Sequence, residues 1–215
     1  MVAHDLRGPV SVVQKVLDLL LEQWDELDDD AQRGRVERAR RRIEILGALT
    51  DDVFDLSLID AGSLEVAIEE IDLGAIAVEV AEDVTTTVDA VVETRIEEGV
   101  VAKGDPRRVR QILTNLLSNA SKFSPPDQPV VVTVCLDGPA ALARVHNGGP
   151  AIAPDDLERI FDRFVRLEQH TREPGSGLGL FISRSLADSQ GGHVTVESGD
   201  ELGTTFTLSL PAAVS

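Results

Sequence analysis

The sequence predicts two domains. Residues 1–60 read as an all-α helical hairpin that forms a dimeric four-helix bundle, and residues 61–215 as an α/β (α+β) sandwich. Three observations predict this. Leu6, Val10, Val13, Leu17, Leu20, Trp24 and Leu27 recur at alternating spacings of four and three, a strict heptad seam. Asp60-Ala-Gly-Ser63 breaks a second apolar helix, which places the domain boundary there. Beyond it, segments of helical and strand period are mixed, as in a layered sheet and helix domain.

Taken in order, the first helix ends at Asp25-Glu-Leu-Asp-Asp-Asp30, a turn followed by an acidic helix start. The second helix sets Val36, Ala39, Ile43, Leu46, Val53 and Leu56 on one side, widened by Ile45 and Leu49. Such a hairpin cannot cover both of its own seams, so a homodimer closing the bundle is expected. A hairpin packed on its own C-terminal domain is the alternative. Arg33, Arg35, Arg38, Arg40, Arg41 and Arg42 form a basic run that neutralises the acidic turn. Strands are expected at Leu64–Ile68, Val91–Ile96, Val130–Leu136, Ala141–His146, His193–Glu197 and Thr204–Leu210. Helices are expected at Leu73–Thr86, Pro106–Lys122 and Leu180–Gln190. Ser198-Gly-Asp-Glu-Leu-Gly203 reads as the turn of a hairpin between the last two strands.

Composition excludes several function classes. A net charge of -18 opposes a nucleic-acid backbone and an anionic membrane surface. It leaves ATP open, because local dipoles and a magnesium ion can dominate a single pocket. Cys135 is the only cysteine, so an internal disulfide or a cysteine zinc site is ruled out. No apolar run approaches the roughly 18 residues of a membrane span. A soluble cytoplasmic piece is expected, whose parent protein is either soluble or membrane-bound.

Four segments carry chemistry. In His4-Asp5-Leu6-Arg7-Gly8-Pro9, His4 lies about 200° around the helix from the seam residue Leu6 and so faces solvent. Asp5 can bind one imidazole nitrogen and free the other as a nucleophile, and Pro9 bends the helix one turn on. Asn115, Asn119 and Lys122 share one helical face, opposite Ile112, Leu113, Leu116 and Leu117. Two amide oxygens suit magnesium and an ammonium suits phosphate. A polar helix face would explain any one of them; the trio points to a metal-bound triphosphate. Asn147-Gly-Gly149-Pro-Ala151-Ile152 follows a strand, where Asn147 can read an adenine edge. Gly175-Ser-Gly177-Leu178-Gly179 enters a helix whose free amides suit phosphate. A polar stretch from Arg166 to Pro174 precedes it, which reads as a lid and argues against a dinucleotide fold. His146, His170 and His193 are too scattered for a metal site.

In this order the segments resemble the motifs of sensor histidine kinases. His4 to Pro9 is similar to their phosphoacceptor box, Asn115 to Phe123 to the N box, and Asn147 to Ile152 to the first glycine box. Ile160-Phe-Asp-Arg-Phe-Val-Arg166 resembles the F box and Gly175 to Leu180 the second glycine box. The resemblance spans nearly the whole chain. It implies a dimerisation hairpin and an ATP-binding domain of the type shared with gyrase and heat-shock chaperones. It implies that His4 takes the γ-phosphoryl group from Mg·ATP, with Asp5 as base or orienting partner, and passes it to an aspartate of a response regulator. Asn119 would be the main magnesium ligand with Asn115 beside it, and Lys122 and Arg166 would contact phosphates. Asn147, Gly149 and Ala151 would line the ATP site, and Gly175, Gly177, Leu178 and Gly179 would shape the lid and phosphate loop.

The chain departs from the family's pattern in four places. Asn147 stands where the family has aspartate, which predicts weaker nucleotide binding because the amide accepts without charge. Ala151 replaces a glycine. Gly8 stands where threonine or asparagine is frequent, so weak phosphatase action on the partner is expected. The family carries further helix and a sensor segment upstream of its histidine, so the chain is expected to be part of a longer protein. Three rivals stay open: a degenerate kinase serving as an ATP-responsive dimeric scaffold, a gyrase- or chaperone-type ATPase, and an anti-sigma-type serine kinase.

Overall fold

A computed structural model describes residues 28–87, 91–167, 176–200 and 202–213. The seam from Leu6 to Leu27, His4, Asp5, Gly8, His170 and Gly175 lie outside the described residues. The chain divides into two compact units, the first ending at Ser63 and the second beginning at Leu64.

The described part of the first unit is one helix, α1 (Asp29–Asp60). Asp28 caps it: its carboxylate oxygen accepts from the Ala31 amide at 2.8 Å, and Asp29 and Asp30 complement the helix dipole. The helix ends at Asp60, and Gly62 follows with φ of 63°, a left-handed backbone that suits glycine. Arg33, Arg35 and Arg40 of the basic run fall within α1. No helix of the described residues is long and apolar enough to cross a membrane.

The second unit carries β1 (Glu69–Asp72), α2 (Leu73–Thr87), β2 (Val92–Ile96), β3 (Val101–Gly104) and α3 (Pro106–Phe123), then β4 (Val130–Asp137) and β5 (Ala140–Asn147). Two short 3₁₀ turns follow at Pro154–Asp156 and Arg159–Phe161, then α4 (Gly179–Asp188), β6 (His193–Gly199) and β7 (Gly203–Pro211). The main sheet has the order β2-β4-β5-β7-β6. β2 runs parallel to β4, and every other neighbouring pair is antiparallel. The β6–β7 hairpin turns where expected, with Gly199 opposite Gly203. β1 and β3 form a separate antiparallel ribbon.

Alternation builds the core. Val130, Val132 and Val134 of β4 are buried, as are Ala143 and Val145 of β5 and Phe206, Leu208 and Leu210 of β7. They meet the apolar face of α3, where Val109, Ile112, Leu113, Leu116 and Leu117 are wholly buried. Truncating one such leucine to alanine costs about 2–5 kcal/mol. Burying one stripe of α3 turns Asn115, Asn119 and Lys122 away from the sheet.

The sequence reading differs from the structure at one strand and omits another. Leu64–Ile68 is not a strand; the first strand begins at Glu69. The Ala67 amide donates to the Asp105 carboxylate at 3.0 Å instead of to a ladder. β3 has four residues, too few for a periodic signal, and it exists because it pairs with β1.

Asp105 and Gln190 pin one end of the helical layer. Asp105 caps α3, accepting from the Arg107 and Arg108 amides at 3.0 and 3.1 Å. Its own amide donates to Gln190 Oε1 at 2.7 Å, and Gln190 Nε2 donates to the Leu186 carbonyl of α4 at 2.7 Å. Both side chains are buried. Burial pushes the Asp105 carboxyl upward, but the amides of Ala67, Arg108 and Arg107 more than offset it, so its pKa lies below the ordinary 3.8.

Candidate nucleotide site

The far end of α3 meets two segments, and a third packs on α4. The first is the start of α4. Asn115 Nδ2 donates to Ser183 Oγ at 2.8 Å, and Ser183 is 2% exposed. Gly179 opens α4 directly against Asn115, so that a β-carbon there would collide with Asn115 Oδ1. Ser183 lies four residues after Gly179, on the same helical face. This fixes the Asn115 amide between two helices. Asn119, one turn on, is half-buried, and its side chain makes no hydrogen bond among the described residues. Lys122 is half-buried, with its ammonium 5.0 Å from the centre of the Phe123 ring.

The second segment is the loop after β5. Gly149 packs on the Phe123 carbonyl at the end of α3, and a β-carbon there would collide with it. The same β-carbon would lie 2.6 Å from Asn147 Nδ2. Asn147 is 3% exposed, and its amide has no side-chain hydrogen bond among the described residues. Gln128, exposed on the α3–β4 loop, lays its carboxamide over Gly148. The loop then crosses to β6, where the Ile152 amide donates to Ser198 Oγ at 2.9 Å.

The third segment runs through Phe161 to Leu167. Arg184 of α4 stacks its guanidinium 3.7 Å from the Phe161 ring centre and pairs with Glu158 at 3.1 Å. Arg163 sits 4.5 Å from the Phe181 ring centre. The Phe164 amide donates to the Gly177 carbonyl at 2.9 Å. Gly177 has φ of 70°, and a β-carbon there would press on the Phe164 backbone at 2.9 Å. Leu178 is 1% exposed, a core residue whose amide donates to Ser176 Oγ at 3.2 Å.

Among the residues singled out from the sequence, the structure brings Asn115 to Gly179 and Asn147 to Gly149. Ala151 and the exposed Arg166 line a different cavity of about 640 Å³, shared with Pro154, Arg159 and the hairpin residues Ser198 to Asp200. None of the α3 residues lines it. The sequence reading missed Ser183 and Gln128. The spacing of Ser183 from Gly179 could have revealed it; nothing in the sequence brings Gln128 to Gly148.

Comparison with known proteins decides the family. The model described as Histidine kinase-, DNA gyrase B-, and HSP90-like ATPase matches residues 104–214, just over half the chain. The His Kinase A (phospho-acceptor) domain model matches residues 1–62. The chain belongs to the histidine kinase family. It is similar to the signal transduction histidine-protein kinase AfsQ2 of Streptomyces coelicolor, at 33% identity over 97% of this chain and 40% of that protein. It is also similar to the circadian input-output histidine kinase CikA of Synechococcus elongatus, at 30% identity over 97% of this chain and 29% of that protein. The chain therefore spans less than half the length of these relatives. Its fold is that of full-length ShkA crystallised with AMPPNP, with a TM-score of 0.71 at 24% identity over 99% of this chain and 45% of that one.

Proposed function

We propose that this chain autophosphorylates His4 from Mg·ATP and passes the phosphoryl group to an aspartate of a response regulator. The observation that carries the reading is a pair of amides, Asn119 and Asn147, at the glycine segments. Among the described residues the Asn119 and Asn147 side-chain amides make no hydrogen bond, and Gly149 and Gly179 nearby pack too closely for a β-carbon. Buried polar groups are ordinarily paired, so such amides fit a polar ligand.

Asn147 faces the base. Lys122 meets the phosphates, and the start of α4 at Gly179 offers backbone amides to them. No cluster of three carboxylate, histidine or cysteine groups suited to a metal occurs among the described residues. The amide oxygens of Asn119 and Asn115 suit an ion that arrives on the triphosphate, since magnesium takes hard oxygen ligands and keeps substrate phosphates in its shell. Bound there, magnesium supplies charge neutralisation at the β- and γ-phosphates. One imidazole nitrogen of His4 attacks the γ-phosphorus. The N–P bond forms as the bridging P–O bond breaks, and ADP leaves with the electron pair. Asp5 holds the imidazole in the required tautomer.

The dimer reading is supported by α1. Val36, Ile43 and Phe54 are 50%, 53% and 64% exposed and fall on one line of the helix, since 18 residues make five turns. A second copy closing a four-helix bundle would cover that line. A cytoplasmic setting is proposed with it, as ATP and the response regulator require.

The test is incubation with γ-phosphate-labelled ATP and magnesium, comparing the chain with His4→Ala. An acid-labile, alkali-stable label that the variant loses is expected. Nucleotide binding by folded protein without any label would favour the scaffold reading instead.

A further inference from the structure

Asn147 ends β5; the residue is 3% exposed, and its carboxamide makes no hydrogen bond among the described residues. An amide without a protein partner is open to pair with a polar ligand. The residue is held from both sides. Gly149 approaches its Nδ2, and Gly203 packs on its backbone carbonyl so closely that a β-carbon there would collide. The strand register also fixes it, with Asn147 opposite Thr204. The backbone that carries the carboxamide is thus held in place, and the terminal torsion of the side chain sets which of its two groups meets a ligand.

That torsion has a chemical consequence. A carboxylate only accepts hydrogen bonds, whereas a carboxamide presents an acceptor and a donor side by side. Adenine offers an amino donor beside a ring-nitrogen acceptor on its Watson–Crick edge. Guanine offers the reverse, a carbonyl acceptor beside a ring N–H donor. A carboxylate set against the six-position of the base accepts from the adenine amine there but repels the guanine carbonyl, and it pairs with guanine only if the base shifts to offer its ring N–H and 2-amino group. A carboxamide matches adenine in one orientation and guanine after a half-turn, and among the described residues no hydrogen bond holds Asn147 to either. The neighbouring rim is also yielding: the group over Gly148 is the end of the exposed Gln128 side chain, not backbone.

We propose that Asn147 makes this site purine-selective rather than adenine-selective, so that guanosine triphosphate binds alongside ATP. The inference rests on the proposal that Asn147 faces the base.

The experiment is displacement of a fluorescent trinitrophenyl-ATP probe from the full chain with magnesium, by ATP, GTP and CTP. Folding of each variant is checked by its thermal melt. GTP is expected to bind within about tenfold of ATP, and CTP at least about tenfold more weakly than either. Asn147→Asp should shift the ATP-to-GTP affinity ratio toward ATP by at least about tenfold. Wild-type protein that binds ATP but holds GTP more than about a hundredfold more weakly overturns purine selectivity while leaving the ATP site standing. If folded Asn147→Asp and Asn147→Ala bind ATP and GTP as the wild type does, Asn147 does not face the base, and that part of the functional reading falls with the inference. Wild-type protein that displaces the probe with none of the three nucleotides overturns both.

Discussion

Ser183→Ala tests whether the α3–α4 contact prepares the nucleotide site. Ser183 is almost fully buried and touches no phosphate in the proposed scheme; its hydroxyl receives the Asn115 amide at 2.8 Å. Removing the hydroxyl leaves that amide's donor unpaired in a half-buried site, at a cost of about 1–3 kcal/mol. At about 1.4 kcal/mol per tenfold, this corresponds to roughly 5- to 150-fold, divided between stability and ATP affinity. The freed Asn115 amide can then rotate against Gly179, where the second glycine box enters α4. Titration with ATP at saturating magnesium, beside a thermal melt, measures both shares. Asn115→Ala should cost at least as much, since it also removes an amide proposed beside the magnesium ion, and the double variant should be no worse than Asn115→Ala alone, since both changes remove one contact. Strict additivity, or a Ser183→Ala protein with wild-type affinity and melting temperature, would refute the reasoning.

Two further outcomes are expected. Asp105 has a pKa lowered by folding, so its contribution is complete above the unfolded value near 3.8 and is lost as pH falls through the folded value. Asp105→Asn should therefore be less stable than wild type by about 1–3 kcal/mol at pH 7, and urea titrations at successively lower pH should show that gap closing below about pH 4. Gly148→Ala and Gly149→Ala should part company although adjacent. The first meets only the movable end of Gln128, while the second meets the Phe123 backbone carbonyl, so only Gly149→Ala should lower the melt and weaken ATP binding.

The sequence showed those features that a period records. The apolar stripe of α3 and the alternation in β4, β5 and β7 located the core within a residue or two. Leu64–Ile68 misled because its alternation lacks a neighbouring strand, and the Ala67 amide is satisfied by a side chain 38 residues away. β3 escaped because its four residues gain strand character only from β1. At the site, Asn115 and Asn119 were legible from helical spacing, and the glycines from their clustering. Ser183 was hidden by its ordinary type, and the Gln128–Gly148 contact by distance along the chain. That Ala151 and Arg166 line a cavity with the β6–β7 turn depends on how the loop after β5 crosses the sheet, which no local pattern encodes.

The Asp105–Gln190 pin gives α3 the character of a lever. Its 18 residues span about 27 Å, with the fulcrum at the capped end and the nucleotide-facing amides toward the other. A tilt of a few degrees at the fulcrum would move Asn119 by an ångström or more, enough to misalign a phosphate contact. Changes that loosen Gln190 should thus be felt as poorer alignment at the opposite end of the helix, although Gln190 comes near no ligand.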